Sequence, residues 1–404
     1  MKKPLLTIYV ILLFTFFSTA QNSWTQKANL GGVGRSDAVS FSIGNKGYIG
    51  TGAIGLSSET QDFWEYNPGT NTWVVKAPLG GGARQHAAGF SIGTKGYIGT
   101  GLGSTEMKDF WEYDPNSNTW SRKSDFPGAI RLGATAFSLG NKGYMGLGGA
   151  ADAYQDFYEY NPTTDSWTRI ADFPGGKRTY ATSFSIGTKG YVGLGEDDNA
   201  NHFADFYEYN PSTNTWKQIA AFPGTTRGYA AAFTILSTGY VGTGDTTGNG
   251  GAKSDFWKYD PLTNIWTQLA DYGGGVMTRA TGFSIGSKGY FGTGASFDVL
   301  SNVVFSQAFW EYSPAVTGIN EYDVRNSISI HPNPASDIVN LTIDRMNNTD
   351  FTLDIYNEIG SQVKSVILKQ NNLQFNIGDL INGIYIVTIK SKDLIENRKL
   401  IIQR

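Results

Sequence analysis

With 404 residues and a formal net charge of −3, the chain has no basic run or excess with which to neutralise a phosphate backbone, so nucleic acid is set aside as a partner. It has no cysteine, which excludes disulfides and a lipid-modified cysteine. Its 40% hydrophobic and 14% aromatic residues suffice for the core of a domain of about 300 residues.

The first 20 residues carry Lys2 and Lys3, an apolar run over 5–17, and Ser18-Thr19-Ala20. This is the pattern of a secretory signal peptide, too short for a membrane span, and no span is expected in the mature chain. Cleavage after Ala20 would leave 30 basic against 35 acidic side chains, net −5.

From Phe41 to Tyr312 one pattern recurs six times. Each copy opens on Phe-Ser-Ile-Gly-x-Lys-Gly-Tyr-x-Gly-x-Gly or a close variant, with its tyrosine at Tyr48, Tyr97, Tyr144, Tyr191, Tyr240 or Tyr290, so the period is 47 to 50 residues. A second block, Asp-Phe-Trp-Glu-Tyr-Asn-Pro-x-x-Asn-x-Trp over 62–73, returns from Asp109, Asp156, Asp205 and Asp255, with a worn copy over 308–314. That sixth copy lacks its tryptophan, and Asn22-Ser23-Trp24 supplies the missing piece from the other end of the chain. A closed ring makes this arrangement sensible, because a linear array would leave half-built units and unpaired strand edges at both ends. The expected fold is therefore all-β: a six-bladed propeller over 21–314, sealed by its N-terminal strand, with Trp24 as a structural closure residue. In blade 2 the four strands are expected over 84–92, 95–100, 109–114 and 119–123, separated by glycine and proline turns.

The glycines after the strand-b tyrosine, as in Tyr144-Met145-Gly146-Leu147-Gly148-Gly149, and the strand-d tryptophan, as in Trp167, resemble the kelch family. Most copies depart from it by reading Gly-x-Gly. Kelch oxidases of the galactose oxidase type need a cysteine crosslinked to a tyrosine at a copper centre, so that chemistry is argued against here. No cofactor or metal is expected.

After Pro314 the period stops. Residues 315–326 read as a linker and 327–404 as a small β-sandwich of about seven strands. Its Pro-Asn-Pro opening at 332–334, its Asn-Gly-Ile-Tyr block at 382–385 and its Lys-Leu-Ile ending resemble the type A sorting domain of the type IX secretion system of Bacteroidota. The resemblance implies export across both membranes, contact of 327–404 with the secretion machinery, and release or attachment at the cell surface.

Positions repeated in every blade build the blade, whereas positions that differ are free to build a site. The b–c loops vary, and with the d–a connections they share one face, where function is expected. On that face an arginine starts strand a in each blade: Arg35, Arg84, Arg131, Arg178, Arg227 and Arg279. Six guanidinium groups could ring the channel mouth and hold a carboxylate or phosphate, or each could bond carbonyls and acidic side chains of the neighbouring blade. Variable positions just after them, including Ser36, Asp37, Gln85, His86, Leu132, Thr179, Tyr180, Tyr229 and Thr281, fit specificity better. With His86, His202 and His331 as the only histidines, a histidine metal cluster is excluded. Acidic 196–198 could suit calcium but lacks the spacing of a defined loop. Tyr154, Tyr180 and Tyr229 could stack on sugar rings.

The leading expectation is a secreted, non-enzymatic module that binds a glycan or cell-surface protein through this face. Six-bladed kelch proteins with signal peptides also include sialic acid mutarotases, and that resemblance implies an isomerase with His86, Asp37 or Glu106 as proton carriers. A purely structural surface protein is the third reading.

Overall fold

The computed structural model describes residues 22–246, 251–298, 300–315, 328–343, 351–357, 361–368, 372–390 and 395–403. The signal segment and all of the linker but Ala315 lie outside the described residues. The chain divides into two units, Met1–Val316 and Thr317–Arg404.

Among its described residues the first unit contains six four-stranded antiparallel sheets. In blade 2, strand a is Ala88–Ile92, b is Lys95–Gly99, c is Phe110–Asp114 and d is Thr119–Lys123, hydrogen-bonded in the order a-b-c-d. Strand a is shorter than the sequence suggests, because residues 84–87 turn aside and bond around the channel instead of along the blade. Each sheet buries both faces against its neighbours, so aromatic residues of either parity are core. Phe110 packs with Tyr160 of blade 3, while Tyr113 and Trp120 pack with Phe63 of blade 1. The glycine of Lys-Gly-Tyr makes this approach possible: a Cβ on Gly96 would collide with the ring of Phe41 in the preceding blade.

Polar rivets repeat as faithfully. In blade 2 the Tyr113 hydroxyl and the Ala77 amide both donate to Asn118 Oδ1, at 2.8 and 2.9 Å, while Trp120 Nε1 donates to the Ala77 carbonyl at 3.0 Å. One side chain thus ties a turn, a strand and the preceding blade.

The two ends meet in the sixth blade. Ser23–Gln26 is its outermost strand, with Trp24 opposite Tyr312 in the register. Asn22 takes the rivet position, its Oδ1 accepting from the Tyr312 hydroxyl at 2.9 Å and the Ala315 amide at 2.6 Å. Around the channel the amides of Asp37, His86, Gly133, Tyr180, Tyr229 and Arg279 each donate to the carbonyl of the preceding member, and Asp37 donates to Arg279, at 2.9 to 3.3 Å. These six bonds make a closed circle.

Among its described residues the second unit has seven strands in two sheets, Ile328–His331, Ile338–Ile343 and Asn372–Asn376 in one, and Phe351–Tyr356, Gln362–Leu368, Gly383–Lys390 and Ile395–Ile402 in the other. A single core unites them around Val339, Leu353, Ile355, Val387 and Leu400. Asn333 Oδ1 accepts the Ile401 amide at 2.8 Å, and Ala335 bridges Ile402 in parallel. The Pro-Asn-Pro opening and the terminal strand are therefore one structural feature read twice along the sequence.

Candidate functional site

Five of the six arginines do not face the channel. Arg35, Arg84, Arg131, Arg178 and Arg227 have fully buried side chains, each paired with the aspartate that opens strand c of its own blade: Asp62, Asp109, Asp156, Asp205 and Asp255. Arg84 shows the arrangement. Its NH1 donates to Asp109 Oδ1 at 2.7 Å and to the Thr100 carbonyl at 2.9 Å, and its NH2 donates to Asp109 Oδ2 at 2.8 Å and the Gly81 carbonyl at 2.5 Å. Such a bidentate pair satisfies the planar fork and pins the turn after strand b. The expected ring of six guanidiniums is thus corrected, and the partners belong to the same blade rather than the neighbouring one.

The sixth blade has lost this pair at both ends. Met277 occupies the arginine position and Ala308 the aspartate position, so Trp310 Nε1, whose counterparts Trp64, Trp111 and Trp257 donate to the aspartate, is buried with no hydrogen-bond partner among the described residues. Arg279 stands two residues further on, in the column of Asp37, His86, Gly133, Tyr180 and Tyr229. These six residues line the channel mouth, a cavity of about 120 Å³, above a ring of six alanines from Ala38 to Ala280.

Every member of the mouth ring has a left-handed backbone, with φ of 54 to 57° at the five non-glycine residues. That conformation costs a residue with a Cβ about 1–2 kcal/mol. Glycine would be the unstrained choice, yet only Gly133 uses it, and there a Cβ would meet the Tyr180 ring at 2.8 Å. The same left-handed backbone recurs just after strand b at Thr51, Thr100, Leu147, Leu194, Thr243 and Thr293, so the conformation belongs to the scaffold, and it is the side chains varying on it that set the chemistry of the mouth.

The side chains form a connected set. His86 Nδ1 lies 3.0 Å from Asp37 Oδ1, and Ser36 Oγ donates to Asp37 Oδ2 at 2.7 Å. Burial pushes the Asp37 carboxyl up, but His86, Arg279 and the Ser36 hydroxyl together outweigh it and hold it below the usual carboxylate range. Tyr180 and Tyr229 stack with centroids 3.9 Å apart, and His86 leans on Tyr180 at 5.0 Å. Burial raises both phenols, Tyr180 to about 12. The Arg279 guanidinium lies 4.6 Å over the Tyr229 ring and 3.6 Å from Asp37, with its side chain 30% exposed. It makes no hydrogen bond to any described residue, in contrast to the five buried arginines.

Several other candidates have structural work. Tyr154 packs over Arg131 at 4.5 Å and does not face the mouth. Glu106 bridges Leu102 within its own loop. Leu132, like Ser36, Gln85 and Thr179, occupies the bridge to a b–c loop one position before the ring, and Thr281 begins strand a in the channel wall. His202 Nε2 sits 3.0 Å from Glu196 Oε2, and Glu196 Oε1 is 3.4 Å from the Tyr229 hydroxyl, so this pair backs the ring from behind. Asp197 accepts the amides of Asn199 and Asn201 at 2.9 Å and is spent on its own loop, and no cluster of metal ligands occurs among the described residues. His331 lies in the second unit. No helix among the described residues is long and apolar enough to cross a membrane.

Many solved chains share the fold. One of them, reported as "Structure of YjhT", superposes with a TM-score of 0.59 at 15% identity, covering 69% of this chain and 94% of its own. No curated protein matches the chain. Residues 329–403 match the family described as "Secretion system C-terminal sorting domain". The protein therefore joins a propeller to an export tail that directs it, by type IX secretion, to the cell surface or the extracellular space.

Proposed function

We propose that the propeller is the recognition module of this exported protein and that its mouth binds a carboxylate-bearing sugar residue of a glycan. Arg279 carries the reading. A guanidinium that makes no hydrogen bond to any described residue, and only a 3.6 Å ion pair with Asp37, has spare donors in the geometry a carboxylate takes bidentately, and its five sister arginines show that the fold satisfies such groups when they are structural. The Tyr180–Tyr229 stack offers the apolar faces on which pyranose rings pack, and the extracellular destination brings polysaccharides within reach.

Titration calorimetry of the full chain with glucuronic, galacturonic and sialic acids, against glucose and galactose, tests this. Only the acids should bind, and Arg279→Gln should weaken them at least tenfold, the loss of a charge-assisted pair being worth about 1.5–3 kcal/mol. Equal binding of neutral sugars, or acid binding untouched by the substitution, would sink the proposal.

A second reading has its own observation. Asp37 orients the His86 imidazole through Nδ1, and the imidazole makes no other hydrogen bond to the described residues. That arrangement suits a general acid or base and supports the isomerase alternative. Faster anomer exchange of a bound sugar acid, lost in His86→Gln while binding persists, would select it.

A further inference from the structure

Beside the mouth, at the seam between blades 6 and 1, lies a second cavity of about 230 Å³. Its walls are the b–c loops of those two blades, and among the described residues these are the two b–c loops that fold into paired hairpins: Ala53–Gly55 with Ser58–Glu59, and Ala295–Phe297 with Val303–Phe305. The lining is apolar on the hairpin side, with Leu56, Phe297, Val303 and Phe305, and polar toward the channel.

The two cavities share a wall. Ser36, Gln85 and Thr278 line the seam pocket, and the next residue of each, Asp37, His86 and Arg279, lines the mouth. Arg279 borders both. Gln85 is fixed from outside by donating to Glu59 Oε1 at 3.1 Å, so the partition is tied to the blade 1 hairpin. Leu56, 83% exposed at the tip of that hairpin, has water to lose when the pocket fills.

We infer that mouth and seam pocket are two halves of one site, the second taking an uncharged apolar substituent, aryl or short acyl, carried by the sugar acid whose carboxylate is held at Arg279. This rests on the proposed carboxylate recognition and adds the chemistry of the group attached. The polar wall sets the head group, and the hairpins select the arm. A ligand with both parts spans Arg279, whereas a bare sugar acid leaves the apolar side wet.

The test compares methyl β-D-glucuronide with phenyl β-D-glucuronide by calorimetry on the full chain. The phenyl compound should bind roughly tenfold more tightly, as expected for a modest apolar group entering a fitted pocket. Leu56→Ser, at an exposed tip where folding is indifferent, and Phe297→Ala should each remove most of that advantage while leaving the methyl compound's affinity unchanged. Equal affinities, or an advantage that survives both substitutions, would overturn the seam inference. Methyl glucuronide binding that is still lost in Arg279→Gln would then leave the carboxylate reading standing. Absence of binding by either compound would overturn both.

Discussion

Replacing Asp156 with alanine should lower the unfolding free energy of the propeller by about 3 kcal/mol, because it leaves the fully buried Arg131 guanidinium without its counter-charge. Carbonyls of Leu147 and Ala129 still accept from Arg131 at 2.8 and 3.0 Å, which places the expected cost at the low end for a broken buried pair. The protein also contains the compensated form. Blade 6 carries Met277 and Ala308 where the others carry arginine and aspartate, and Met277 is buried in the apolar cluster shared by blades 5 and 6. Arg131→Met combined with Asp156→Ala should therefore recover most of the loss and lie within about 1–2 kcal/mol of the parent, since an apolar replacement of similar volume removes both desolvation costs together. Urea unfolding of the parent, the single and the double variant decides the matter. A double variant as unstable as the single one would mean that the guanidinium fork holds the turn after strand b by more than charge.

The second large effect is expected at the closure. Trp24 packs edge-on against Phe256 at 4.9 Å and Tyr272 at 5.1 Å, with Phe291 and Tyr312 within 5.6 Å. Truncation to alanine removes the main anchor of a four-residue strand and should cost about 3 kcal/mol. Its signature is local. Freed of Ser23–Gln26, the strand Phe309–Ser313 becomes a sheet edge, and its amide hydrogen exchange should accelerate while the strands of blade 3 stay protected. Uniform acceleration across the blades would show that the closing strand stabilises the ring globally instead of sealing one seam.

The closure is legible in the sequence, because repetition turns one chain into six samples of the same blade, whereas the pairing of each arginine with an aspartate of its own blade is not. Strand d of blade 2 has the limits that its sequence suggests, and the borrowed Asn22-Ser23-Trp24 announces the closure. Strand a reads longer in the sequence than it is, because nothing in Arg84-Gln85-His86-Ala87 distinguishes a strand from a chain turning through a left-handed residue. The principal misreading was the column of Arg279. By residue type its arginine aligns with the others, although the spacing to the strand-a phenylalanine is six residues in Arg35–Phe41 and its four counterparts and four in Arg279–Phe283. Counting from the alanine that follows the ring in every blade would have placed it with Asp37 and His86. The ion pairing of the other five could not be read from either position alone. It becomes visible when Met277 and Ala308 are seen to depart together, which is the sign of two side chains that touch.

Of the six arginines at the starts of the blades, we propose that one, Arg279, is available to a ligand. Phenylglyoxal labelling of the folded full chain, read by mass spectrometry residue by residue, measures this directly. Arg279 should be modified and should be protected by saturating sugar acid but not by glucose, while Arg35, Arg84, Arg131, Arg178 and Arg227 stay unmodified. Labelling of the buried five at a comparable rate, or of Arg279 regardless of the sugar acid, would contradict the account.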